Sequence, residues 1–300
     1  MPRVMEVAAA PPCNLDECIT AITDAGFEPG EEESLQHGAN WLARLGRNKS
    51  FLGDMMLDEL ANRHCEDDPR SAYGPQVIML SRPAEGFFMR ANIWPSAQEH
   101  SYRASGSSSF VYDLPHDHNF DFLTVGYFGP GYESDYYEYD FDKAQGYPGE
   151  KANLRFVERS ALSEGRVLHY RAHRDVHRQL PPKSLSVSLN ILKSDPAQGW
   201  FDQYRFDIER DEIAGIISHG SGEVFLRCAV GMGGAEAVDI AERFGHQHPS
   251  DRMRLAAWEA RASLCGDDTE QDALWRDAER SGSRMIAMEA KRRRAALAET

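Results

Sequence analysis

Between residues 76 and 192 the sequence repeats one pattern: a short apolar run, then Gly, Pro, Asp or Ser, then another run. The segments VIML, FFMRANIW, FVYDL, FLTVGYF, SDYYEYDF, ANLRFVER, RVLHYRA and SLSVSLNIL are rich in β-branched and aromatic residues. Many short strands at regular spacing fold as a sandwich or barrel. A turn is expected at 81–86 and a Ser- and Gly-rich loop at 101–109. No long helix interrupts the run, which argues against a parallel α/β sheet.

The flanks are helical. Asn14 caps a helix carrying Leu15, Ile19 and Ile22, and the Gly-Phe after Ala25 ends it. A second helix starts near Glu31, with its acidic triplet at the positive end of the dipole. A third opens at Ser50 and runs toward Cys65. After Tyr204 the segments GAEAVDIAERF, PSDRMRLAAWEARASL, EQDALWRDAER and SRMIAMEAKRRRAAL read as helices joined by short turns. The expected architecture is α+β: an N-terminal helical segment (1–70), a small β-barrel (71–205) and an all-helical C-terminal region (206–300).

Composition narrows the partners. A net charge of −15 opposes a nucleic-acid surface. The basic cluster at 291–294 closes the last helix, where cations are favoured. No apolar run approaches membrane-spanning length, and the Ala-rich start is too short and weakly apolar for a signal peptide. Five scattered cysteines, Cys13, Cys18, Cys65, Cys228 and Cys265, include no C-x-x-C. That usage suits a reducing cytoplasm.

Chemistry concentrates in FVYDLPHDHNFDFLTVGYFGPG. His116 and His118 end a β-like run, and residues two apart on a strand share a face. Two imidazoles on one face can reach one metal ion. A third nitrogen must come from elsewhere, and His169, His173 and His177 are available at the same alternation parity. Of the positions a few residues beyond the second histidine, Asp121, Phe122 and Leu123, Asp121 is the only carboxylate. Three neutral imidazoles would leave a divalent ion its full charge and open positions. In the aromatic-acidic run from Tyr132 to Asp140, alternation puts Tyr137, Tyr139 and Phe141 on one face, with Tyr137 or Tyr139 as a hydroxyl donor to substrate. His246 and His248 repeat the spacing before Pro249 and read as a surface pair. No P-loop, G-x-S-x-G, H-E-x-x-H or dinucleotide fingerprint is present.

Pro115-His116-Asp117-His118, closed by Gly129, resembles the first motif of the cupin superfamily. The run DVHRQLPPKSLSVSL resembles the second, which ranks His177 first as the third ligand, before His173 and His169. Residues 50–192 loosely resemble the thiol dioxygenase branch. That resemblance implies Fe(II) at His116, His118 and His177, dioxygen as co-substrate, and Arg90 holding a substrate carboxylate. Imidazoles alone also suit zinc, nickel or copper. The sequence departs from that branch where Ser188-Leu189-Asn190-Ile191-Leu192 replaces its Ser-x-His-x-Tyr run, leaving Ser188 and Asn190 as polar wall residues. It also lacks a cysteine near the second ligand. The leading expectation is therefore an iron dioxygenase acting on a small polar, amino-acid-like carboxylate. The alternatives are a non-catalytic metal- or ligand-binding barrel and a metal-dependent isomerase or hydrolase. The C-terminal helices resemble HEAT pairs and would serve a protein partner.

Overall fold

In the computed structural model, residues 1–62, 76–81 and 86–299 are described. Cys65, the 70/71 boundary and the centre of the expected 81–86 turn lie outside them. The chain divides into two compact units, Met1–Phe141 with Leu154–Gln198, and Asp142–Asn153 with Gly199–Thr300.

The first unit contains β1 (Arg3–Val4), α1 (Leu15–Ala25), α2 (Glu32–Arg47), α3 (Phe51–Asn62), β2 (Val77–Met79), β3 (Phe87–Trp94), α4 (His100–Ser105), β4 (Phe122–Phe128), β5 (Glu133–Glu138), β6 (Arg155–Ala161), β7 (Val167–Tyr170), β8 (Asp175–Gln179) and β9 (Ser186–Lys193). A six-stranded antiparallel sheet runs β1-β7-β4-β9-β3-β2, and a three-stranded sheet runs β6-β5-β8. Among the described residues no ladder joins the two sheets into a closed ring; an isolated bridge pairs His116 with His177.

Strand alternation sorts the large sheet into two faces. Met89, Ala91, Leu123, Val125, Val167, Leu189 and Ile191 enter the core shared with α1 and α2. Small residues let α2 lie close: a Cβ on Gly38 would stand 3.1 Å from Leu123, and one on Gly46 3.3 Å from Val125. Each fully buried aliphatic side chain there, such as Leu42, contributes roughly 1.5–3 kcal/mol. The other face supplies Trp94, Phe122, Leu168, Tyr170 and Leu192 to a second cluster, which Tyr132 and Tyr136 complete. That second interior holds the histidines. At the chain start Asn14 and Glu17 form a capping box, with Glu17 N–H donating to Asn14 Oδ1 at 2.8 Å and Asn14 N–H to Glu17 Oε2 at 3.0 Å.

Two local expectations need correction. FVYDL is not a strand: Phe110 ends a 3-10 turn, and Val111 and Asp113 have φ of 58° and 55°. Its apolar alternation instead buries Phe110 and Tyr112 against Tyr102. The loop at 101–109 is largely helical, as α4 followed by that turn.

The second unit carries β10 (Tyr204–Asp207), β11 (Glu212–Ile216), α5 (Ser221–Gly231), α6 (Ala235–Gln247), α7 (Asp251–Ala262), α8 (Asp268–Ala278) and α9 (Arg284–Ala298). The region after 206 is therefore not all-helical, because β10 and β11 form an antiparallel hairpin. The segment Asp142–Asn153, between β5 and β6, adds an edge to it: Gly149 N–H donates to the Ile213 carbonyl at 2.9 Å, and Ile213 N–H to that of Glu150 at 2.8 Å. Asn14-, Ser250-, Asp267- and Ser283-type caps open α1, α7, α8 and α9. Trp258 and Trp275 centre one helical core, and Leu226 and Val230 belong to another. No helix among the described residues is long and apolar enough to cross a membrane.

Candidate metal centre

Pro115 disfavours helix at Leu114 and withholds a backbone donor, so this stretch runs extended beside β8. Asp113 N–H donates to the Gln179 carbonyl at 3.0 Å, and His116 and His177 exchange both backbone hydrogen bonds, at 3.1 and 3.0 Å. Side chains of such a pair stand on the same face. The rings of His116 and His177 accordingly lie 4.6 Å apart. His118 joins them from two residues on, its backbone carbonyl held by His173 N–H at 2.8 Å. Gly129, with φ of +77°, closes the motif where a Cβ would fall 2.3 Å from the Leu185 carbonyl oxygen.

The three Nε2 atoms converge. His177 Nε2 is 3.1 Å from His118 Nε2 and 3.2 Å from His116 Nε2. The ligand atoms of all three lie within 4.8 Å of one another. Metal–nitrogen bonds of about 2.1 Å separate two ligand nitrogens by about 3.0 Å at a right angle and about 3.4 Å at the tetrahedral angle. Both His177 spacings fall inside that range and the third pair lies within 4.8 Å, so the residues fit an ion bound on one face. His116 Nδ1–H donates to the Leu114 carbonyl at 2.7 Å, leaving its Nε2 lone pair bare. Burial pushes all three imidazoles below their ordinary pKa; at His118 the neighbouring His116, His177 and Arg90 add to the effect, and at His177 so does His116. Neutral imidazole is the ligand form.

The other singled-out residues divide. Asp121 and His169 pair with each other, Oδ1 to Nε2 at 2.9 Å, rather than joining the cluster. His169 follows Leu168 and precedes Tyr170, both of which face the histidine interior, so it points to the opposite side of the sheet. The shared parity of His169, His173 and His177 fails because β7 ends at Tyr170 and the turn before β8 resets the register. His173 sits in that turn at φ 58°, its ring 4.1 Å from Phe141. Tyr137 is also misassigned. Tyr136 stands opposite His177 in the β5–β8 register. Tyr137 therefore faces away and packs on the exposed Phe156 at 5.4 Å. Tyr139 lies one residue past the strand, where its hydroxyl donates to Asp117 and steadies the residue between the two histidines.

Arg90, Ser188 and Asn190 all lie on the histidine-side face. Arg90 is opposite Asn190 in register, and Asn190 Nδ2 donates to the Arg90 carbonyl at 3.3 Å. Ser188 Oγ accepts the Trp94 indole N–H at 2.9 Å. Sequence reasoning missed Tyr170 and Tyr136, whose hydroxyls meet at 3.0 Å. The Tyr170 ring is 4.9 Å from that of His177 and stacks at 4.4 Å on Phe122, which in turn abuts His118. The one available signal was Tyr170's place beside His169 on a strand.

The class defined by these observations is a two-sheet β domain with a buried three-histidine cluster able to hold one metal ion. No protein-family model matches the chain, and no curated protein matches it. Similar solved structures include one from the DMSP lyases RdDddP and RnDddQII, at 10% identity over 44% of this chain and 52% of the other, with a TM-score of 0.26. The DMSP lyase DddQ from Ruegeria pomeroyi DSS-3 aligns at 9% identity over 40% and 47%, TM-score 0.25. Procruciferin, an 11S globulin from Brassica napus, aligns at 12% over 43% and 28%, TM-score 0.26. The chain thus spans about half the length of the two lyases and less of the globulin. Likenesses at this level carry no argument about function, which rests on the site itself.

Proposed function

We propose that this protein is a metal-dependent enzyme, a mononuclear non-haem iron oxygenase acting on a small polar carboxylate. The observation that carries the reading is the convergence of three neutral imidazoles in a buried site, with His177 Nε2 at 3.1 and 3.2 Å from the other two and all ligand atoms within 4.8 Å. His116, His118 and His177 would hold the ion, and Fe(II) there would supply open coordination positions and the electrons to activate dioxygen.

The chain's own residues do the rest. The Leu114 carbonyl fixes the His116 tautomer, and the backbone exchange between His116 and His177 fixes their separation. Phe120 and Phe122, at 5.0 and 4.9 Å from His118, keep water from that side of the cluster. Arg90 faces the same interior, and its charge is felt at His118. A carboxylate bound to that guanidinium would therefore place the substrate beside the histidines. Asn190 and Ser188, on the same face, would line the approach. The C-terminal helices are proposed to serve a protein partner.

Elemental analysis of protein purified without added metal should find one ion per chain, and His116→Ala and His177→Ala should each lose it. Oxygen uptake with candidate acids should vanish in the same variants. Full metal loading with no turnover would instead favour a binding barrel, and turnover without dioxygen would favour an isomerase or hydrolase.

A further inference from the structure

Interiors between packed sheets are filled by apolar side chains. Here one row across the large sheet reads Arg90, Asn190, Thr124, and the next sets Asn92 opposite Ser188. From the small sheet, Gln179 shares the His177 face of β8. Asn92, Thr124 and Gln179 are 8%, 0% and 5% exposed. Each nevertheless has a side-chain oxygen with no hydrogen-bond partner: Asn92 Oδ1, Thr124 Oγ1 and Gln179 Oε1. Buried polar atoms in folded proteins are nearly always satisfied, so three orphans in one interior point to an occupant that satisfies them.

The three belong to one interior. Tyr132 lies close to both Tyr170 and Gln179. Its ring lies 4.3 Å from Trp94, whose indole N–H reaches Ser188, the register partner of Asn92. Tyr170 continues the same chain of contacts to His177. The layer these residues belong to therefore adjoins the histidine cluster.

We infer that Asn92, Thr124 and Gln179 form a subsite for the hydroxyl groups of the substrate, making it a polyhydroxylated carboxylic acid. Amide oxygens only accept hydrogen bonds, and a threonine hydroxyl can accept as well as donate, so the occupant must bring donors. Hydroxyls satisfy this and ammonium does not: the three groups are neutral, and the neighbouring Arg90 is cationic, so a buried ammonium would lack a counter-charge. The inference rests on the proposed function for its carboxylate anchor and narrows the expected amino-acid-like substrate to a hydroxy acid.

The test compares threonate and erythronate with butyrate, which has the same carbon chain without hydroxyls, and with threitol, which lacks the carboxylate. Binding is measured by calorimetry on protein as purified and after chelator treatment. At least one tetronate should bind roughly tenfold or more tightly than butyrate, a margin of the size that unsatisfied site groups impose on ligands lacking a partner. Thr124→Val and Gln179→Leu should each erode that margin, whereas Thr124→Ser should keep it. Equal affinity for butyrate and the tetronates would overturn the subsite. So would no binding of any probe by variants and wild type alike, which would leave ordered water as the occupant. Metal content of the same samples reads the histidines separately. Tetronate binding without metal uptake would sink the oxygenase and retain the subsite, and metal uptake without hydroxyl preference would do the reverse.

Discussion

His177 is positioned by its backbone, since its Nδ1 has no hydrogen-bond partner while its Nε2 faces two other imidazoles. The cluster stays neutral because burial disfavours charge, and this sets a pH dependence for the metal-free protein. Unfolded histidines take up protons below about pH 6.5, whereas these three, with lowered pKa values, do not. Stability is then complete above that pH and declines as the pH falls, by about 1.4 kcal/mol per unit for each histidine until its folded pKa is reached. Thermal melts in chelator from pH 7.5 to 5.5 should show Tm falling steeply, and a flat profile would contradict the neutral cluster. At this scale the histidine spacing was legible, because a two-residue repeat beside a proline is a local signal. Tyr137 and His173 were not, because parity carries only within one strand, and β5 and the β7–β8 turn set their own registers.

Among the elements, β5 is the strand on which the small sheet depends. Asp135, on the face away from the histidines, accepts from Arg159 on β6 at 2.6 and 2.9 Å and from Arg178 on β8 at 3.1 and 2.5 Å. One carboxylate thus ties both neighbouring strands, and β8 carries His177. The Arg159 hydrogen bonds chiefly, with those from Arg178, hold the Asp135 carboxyl below its usual pKa against the cost of burial. Its contribution is full at neutral pH and is lost as the pH falls below the ordinary carboxylate value of about 3.9 toward the lowered folded one. Asp135→Asn should cost about 2 kcal/mol in urea unfolding at pH 7, with a gap from wild type that narrows in acid. An unchanged midpoint at pH 7 would show the triad to be decorative. Strands such as FFMRANIW and FLTVGYF could be read from sequence because alternation and length agree. FVYDL could not, since positive φ at Val111 and Asp113 leaves no mark in residues of those types.

For the whole molecule, the chain passes between its two units at Phe141, Asn153 and Gln198. The strap from Asp142 to Asn153 is knit into the second unit by more than its backbone. Glu150 accepts from Gln145 N–H and Gly146 N–H within the strap, at 2.9 and 2.7 Å, and Lys151 donates to the Arg210 carbonyl at 2.8 Å and to Glu212 at 3.0 Å. Replacing residues 145–152 by a Gly-Ser linker should speed hydrogen exchange at Ile213 by roughly tenfold or more, leaving β4 and β9 unchanged. Equal protection at Ile213 would show the strap to be dispensable. This arrangement escaped the sequence because pairing between a loop and a hairpin far downstream leaves no local periodicity. The three expected divisions followed changes in residue pattern, which cannot reveal a segment lent by one region to another.

That loan has a consequence during synthesis. The strap is synthesised before β7, β8 and β9, yet its partners β10 and β11 come after all three. A polypeptide cut short near Gln198 would hold every imidazole of the cluster and still present an unmated edge of backbone donors and acceptors, the kind of surface on which nascent chains stick to one another.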